Sequence, residues 1–282
     1  MNKDMNVQNE TNSNSPLGAG GLLGVGGNRI NQLFQQKSKN ILSVYFTAGF
    51  PKLDDTIPTL QCLQNNGIDL VEIGVPFSDP MADGIVIQNS SHKALQNGMS
   101  IRKLFEQLTS VRANIHIPLI MMGYLNPIMQ FGFEAFCKEC SRVGVDGMII
   151  PDLPMADYLS DYKEIAQRYD LEFIFLITPE TSDARIREID SHTNGFIYMV
   201  SSAAVTGTQN SFDNKVDYFN RINAMNLKNP RLIGFGISNK STFEMVCNYS
   251  SGAIVGSAFI KVLDEVQDVE KGVNLLLKKL ME

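Results

Sequence analysis

Glu72 is the one charged side chain in Leu70-Val71-Glu72-Ile73-Gly74-Val75, a run that otherwise has the continuous apolar character of a strand buried on both faces. A carboxylate in such a place is costly unless it is paired or used. Directly behind it comes Pro76-Phe77-Ser78-Asp79-Pro80-Met81-Ala82-Asp83-Gly84, a loop stiffened by two prolines and carrying two more acids. A buried acid followed by a rigid acidic loop is suited to acid–base chemistry. The plainer alternative is a structural Glu bonded to a neighbouring hydroxyl or Arg, but a buried Glu is seldom idle.

A second kind of chemistry is carried by late glycines, in Ala204-Val205-Thr206-Gly207, Gly234-Phe235-Gly236-Ile237-Ser238 and Gly256-Ser257. Glycine lets backbone amides approach an anion closely, and a following helix N-terminus adds a favourable dipole. Glycine also serves ordinary tight turns, yet three such turns in succession point to phosphate. They contain no Lys or Arg, so backbone amides and Ser257 would do the binding. Other chemistries find no support. No apolar run carries an interior lysine for a Schiff base. Of His92, His116 and His192, the last two precede apolar runs rather than follow them, which disfavours a His-bound metal. Cys137 and Cys140 form a C-x-x-C inside a helical pattern, with no second ligand pair. What remains is carboxylate acid–base catalysis on a phosphorylated small molecule, with Glu72, Asp83 and Asp152 as the titrating groups.

These residues need elements to hold them. Apolar, β-branched runs fall at residues 41–47, 70–75, 118–124, 147–151, 172–178, 195–201, 231–237 and 252–255. Each is followed by a helical pattern, for example at residues 133–143 and 241–247, and an amphipathic helix at 28–36 precedes them all, with Ile30, Leu33 and Phe34 on one side. Alternating strands and helices pair in parallel through right-handed crossovers, and this count matches a closed (β/α)8 TIM barrel with an added N-terminal helix. An open doubly wound sheet would normally carry a glycine-rich first turn, which is missing. In a barrel the chemistry lies at the C-terminal strand ends, here Tyr45, Thr47, Glu72, Tyr124, Asn126, Asp152, Tyr198, Thr206, Gly236, Gly256 and Ser257. Period-two alternation puts Leu70, Glu72 and Gly74 on the interior face.

Residues 28–282 are expected to form one barrel domain. Residues 1–27 are rich in Asn, Ser and Gly without periodicity, as in a disordered extension or a leader added for expression. Net charge is −6 with scattered Lys and Arg, which argues against nucleic acid and anionic membranes as partners. No run reaches the length of a membrane span and no secretory pattern opens the chain. Four cysteines without a framework suit reduced thiols and a cytoplasmic setting.

The run from Val71 to Gln88, with Tyr124-Leu125-Asn126-Pro127, Pro151-Asp152-Leu153-Pro154, Val205-Thr206-Gly207, Gly234-Phe235-Gly236-Ile237-Ser238 and Gly256-Ser257, resembles the tryptophan synthase α subunit family. The resemblance covers the chain from about Asn28 to its end. It implies retro-aldol cleavage of indole-3-glycerol phosphate to indole and D-glyceraldehyde 3-phosphate. Glu72 and Asp83 fall on the catalytic carboxylates, and Tyr198 on a hydroxyl that supports Glu72. Tyr45, Tyr124, Asp152, Thr206, Gly207, Gly236, Gly256 and Ser257 fall among the substrate contacts. The resemblance also implies a β subunit partner in an α2β2 assembly, contacted by the 76–84 loop and the segment near Asn126. Pyridoxal phosphate is expected in that partner, with no cofactor in this chain. The alternatives are a stand-alone lyase releasing indole and a non-catalytic allosteric subunit; intact Glu72, Asp83 and phosphate glycines argue against the latter. Three positions depart from the family's pattern: Ala204 for Gly, Ser202 for Arg, and Tyr45 for Phe. A left-handed backbone at Ala204 would be costly.

Overall fold

The structure, a computed structural model, describes residues 27–201, 212–234 and 236–282. Its parallel strands are β1 (Ile41–Thr47), β2 (Leu70–Gly74), β3 (Leu119–Met122), β4 (Gly147–Ile149), β5 (Glu172–Phe173), β6 (Leu176–Ile177), β7 (Ile197–Val200), β8 (Arg231–Gly234) and β9 (Gly252–Val255). They hydrogen-bond in the order β5-β4-β3-β2-β1-β9-β8-β7-β6. The two ends of that order are halves of one extended segment. Glu172 pairs with Gly147 on one side and Leu176 with Tyr198 on the other. Between them the Ile174 N–H donates to Met148 O, and Phe175 O accepts from the Tyr198 N–H. The chain itself therefore closes the ring, and the expected (β/α)8 barrel is present.

The strand expected at 172–178 is broken in its middle because its ladder passes there from one neighbour to the other. Several other expected strands overran. Val75, Ile150 and Ile237 are as apolar and as buried as strand residues, but they lie in the βα loops beyond the last ladder pair. Buried loops at the barrel mouth look like strand to any reading based on hydrophobicity alone.

Alternation along β2 is as expected. Val71 and Ile73 join the large outer core against the helices, while Leu70 joins the interior cluster. That cluster is floored by the N-terminal helix (Arg29–Gln36), whose Ile30 is fully buried among Ile41, Leu70, Ile120, Ile149 and Ile174. Asn28 fixes the helix start: its Oδ1 accepts from the Ile30 N–H at 3.0 Å, and its Nδ2 donates to the backbone oxygens of Asp146 and Asp170. Asp146, buried at the head of β4, ties the floor together. Its carboxylate accepts from Arg29 at 2.8 Å, from Arg112 at 2.6 Å and from the Leu119 N–H at 2.8 Å. Helix Phe133–Val143 forms where expected, with Cys137 and Cys140 both buried on it. Of the extension expected at residues 1–27, residues 1–26 lie outside the described residues. Among the described residues no helix is long and apolar enough to cross a membrane.

Removing one partner from a buried charge network strands the others. Asp146→Asn should therefore lower unfolding free energy by about 3–5 kcal/mol, measured by urea titration. A change below the scatter of surface substitutions would show that the arginines find other partners.

Candidate active site

Glu72 projects from β2 into the barrel above the apolar floor and is 0 % exposed. Its Oε1 accepts a hydrogen bond from the Ser43 hydroxyl on β1 at 3.0 Å, and its Oε2 is buried with no partner among the described residues. Burial disfavours the charged form and lifts the acid to about 8, with the Ser43 bond pulling the other way. A carboxyl group that is mostly neutral at physiological pH but still able to ionise can both give and take a proton.

Asp83 closes the 76–84 loop and is 8 % exposed. Burial lifts it to about 6, opposed by the hydrogen bond that the Tyr124 hydroxyl donates to Oδ2 at 2.9 Å. The same hydroxyl accepts from the Ala82 N–H at 2.9 Å, and the ring lies 5.3 Å from Phe77. The loop is further held by Gln88, whose side-chain amide donates to Asp83 O, and by His92 bonded to Ser78 O. Asp83 is thus fixed on a strapped loop and remains ionised at neutral pH.

Both acids border a cavity of about 330 Å³ at the mouth of the barrel. Tyr45 and Tyr198 line it together with Gly236, Gly256 and Ser257. Burial, reinforced by the nearby acids, raises both phenols, which therefore stay protonated as donors. Two glycines make room for these rings. A Cβ at Gly74 would overlap the Tyr45 hydroxyl, and one at Gly234 would overlap that of Tyr198. Gly236 has φ +81°, a conformation that favours glycine, and a Cβ there would meet nothing. Gly256 caps the helix Ser257–Val266, so free N–H groups point towards the cavity.

Most of the expected site residues converge here. Tyr124 does so through Asp83 rather than by lining the space. Asp152 stands apart: it is exposed, and its Oδ1 accepts from the Leu125 N–H at the start of helix Leu125–Phe131. Thr206 and Gly207, with the departures at Ser202 and Ala204, lie outside the described residues. Several residues of the site were not foreseen. Ser43 shares the Tyr45 face of β1 with Thr47, and nothing in its residue type singles it out until the register with β2 places it beside Glu72. Lys261, Glu265 and Lys279 line the cavity from the last two helices and left no mark in the turn motifs. A wider groove of about 640 Å³ lies on the outer wall, but its Asp69 is already paired with Lys37. Among the described residues, no three His, Cys, Asp or Glu side chains are grouped so as to hold a metal.

The profile of the tryptophan synthase alpha chain family matches residues 31–281. This chain belongs to that family. The tryptophan synthase alpha chain of Parabacteroides distasonis is 61% identical over 256 residues, covering 90% of this chain and 100% of that one. That of Bacteroides thetaiotaomicron is 58% identical over 247 residues, covering 87% and 96%. The crystal structure of tryptophan synthase subunit alpha from Legionella pneumophila str. Paris aligns with a TM-score of 0.82 at 32% identity, over 90% of this chain and 97% of that one. As a tryptophan synthase alpha chain, the protein is a lyase-type enzyme of tryptophan biosynthesis.

The Tyr124 bond favours the charged form of Asp83, so removing it should let burial raise the carboxyl further. In Tyr124→Phe the Asp83 carboxyl should titrate above about 6, followed by carbon-13 NMR of the labelled protein. An unmoved titration would mean that Tyr124 holds the loop without influencing the acid.

Proposed function

We propose that the chain cleaves indole-3-glycerol phosphate by a retro-aldol reaction and that the cavity holds this substrate with its phosphate against Gly236, Gly256 and Ser257. The observation that carries the reading is the pair of acids set apart by environment. Glu72 is neutral over much of the working range, with one oxygen unengaged, and Asp83 is ionised and strapped in place.

Cleavage begins when neutral Glu72 protonates the ring carbon bearing the side chain, leaving positive charge on the ring nitrogen. Ionised Asp83 accepts the indole N–H and stabilises that charge. Carboxylate Glu72 then takes the proton of the adjacent side-chain hydroxyl. The carbon–oxygen double bond of the aldehyde forms, the carbon–carbon bond breaks, and its electron pair restores the aromatic ring. Indole and D-glyceraldehyde 3-phosphate result, and Glu72 regains its acid form. No cofactor of this chain enters the scheme.

The proposal includes a β subunit that receives the indole, carries pyridoxal phosphate and completes an α2β2 assembly in the cytoplasm. Met81 on the loop, 81% exposed, and Ile85 at the start of the helix Ile85–Gln96, 67% exposed, flank Asp83, and half-exposed Met129 lies on the helix after Tyr124. An apolar partner surface placed there would also brace the loop that carries Asp83.

The decisive experiment is indole release by the purified chain with and without β subunit. The Glu72 acid form is needed at the start and the Asp83 base form throughout, so kcat/KM should fall below about 6 and above about 8. Glu72→Gln should cost at least about 10²–10⁴ in rate. Asp83→Asn should retain more activity and lose the acidic limb. Near-normal turnover by a folded Glu72→Gln protein would remove Glu72 from the mechanism.

A Cβ at Gly256 meets only ordinary contacts, 3.5 Å from Tyr45. Gly256→Val should therefore fold but raise KM strongly for the phosphorylated substrate. Equal losses with indole glycerol lacking phosphate would show damage to the barrel rather than to an anion site.

A further inference from the structure

We infer that Ser43 is the positioning residue for Glu72: it ties down Oε1 and leaves Oε2 as the single oxygen through which the acid exchanges a proton with the substrate. This rests on the acid–base role of Glu72 proposed above. Ser43 and Glu72 are both fully buried and sit on adjacent parallel strands, 3.0 Å apart from Oγ to Oε1. Oε2 is equally buried and has no partner among the described residues.

The Ser43 hydroxyl has Glu72 as its one acceptor among the described residues. If the acid proton lay on Oε1, it would be donated to Ser43 Oγ, and the serine's own proton would be left buried without an acceptor, which is costly. With the proton on Oε2, Ser43 donates to a carbonyl-like Oε1 and the acidic hydrogen points at the cavity. The same bond stops the carboxyl from turning about its last torsion, which is otherwise broad and roughly two-fold. One hydroxyl thus selects both the site of the proton and the direction of its delivery.

Other groups around Glu72 do not compete for this task. The titratable neighbours are Tyr45 from β1, Tyr198 from β7 and Asp83 from the loop, with Lys261, Glu265 and Lys279 on the cavity wall. The hydrogen-bond partner that opposes burial at Glu72 is Ser43. β3 and β9 present Ile120, Met122 and Ile254 to the interior.

Ser43→Thr and Ser43→Val form a matched pair of equal volume, differing in the hydroxyl. In steady-state indole release with β subunit present, Ser43→Val should lose about ten- to a hundredfold in kcat with KM little changed. Without the donor, its alkaline limb should move above the position of the parent protein. Ser43→Thr should restore both kcat and the limb. Equal kcat values and superimposed pH profiles for the two variants would overturn the proposal and leave Ser43 as packing. A downward move of the limb in Ser43→Val would overturn it too, since the bond would then favour the acid form. Ser43→Ala introduces no overlap and carries the test if the larger side chains unfold the barrel; a parental rate and profile in that variant would sink the idea. Glu72→Gln run in parallel separates the two layers. Full activity there refutes the role of Glu72 itself, whereas an inactive Glu72→Gln beside a parental Ser43→Val refutes the role of Ser43 alone.

Discussion

A carboxyl group held out of water is the constraint on which the structure depends. Desolvation of Glu72 raises its pKa to about 8, and that is possible only while the strands around it form a closed ring and the floor beneath it stays dry. The buried Asp146 knot and the helix Arg29–Gln36 therefore belong to the functional architecture although they touch no substrate. They keep water from reaching the acid from below, where a solvated carboxyl would return to its ordinary range. The second acid is set by contrast. Asp83 is less buried, carries a phenolic donor and remains charged, so one cavity contains both an acid and a base at the same pH.

The interior is also shaped by what is left out. Tyr45 and Tyr198 each lie across a glycine at the end of a neighbouring strand, Gly74 and Gly234. Large rings fit into a narrow barrel because the next layer of side chains is missing at those two points. The phenols thereby stand beside the acids rather than being pushed towards solvent, and the pocket keeps its volume despite walls made of bulky residues.

The barrel was legible because buried parallel strands are written as apolar runs separated by helical patterns, and Glu72 was legible because it violates such a run. The strand limits were less so. Val75, Ile150 and Ile237 are loop residues under the same hydrophobic pressure as the strands, and the segment from Glu172 to Ile177 changes partner in mid-course, which leaves no compositional trace. Asp152 shares its acidic type and strand-end position with the site residues, yet its oxygen serves a helix start. Ser43 escaped because a lone serine in a strand has no intrinsic signal; only the register with β2 makes it meaningful. Lys261, Glu265 and Lys279 reach the cavity from the outer helices, and no spacing within those helices points to the mouth.

The sealed floor bears on the bookkeeping of hydrogen in the proposed cleavage. Glu72 touches only protein below and the cavity above, so once the substrate fills the mouth the acid is isolated from bulk water. The hydrogen delivered to the ring must have been loaded before the substrate entered, and the one stripped from the side-chain hydroxyl must stay on Glu72 until the products leave. Isotopic exchange with solvent is then confined to the interval between turnovers. The enzyme would carry a memory of one hydrogen from each catalytic cycle to the next whenever a new substrate arrives faster than that hydrogen washes out.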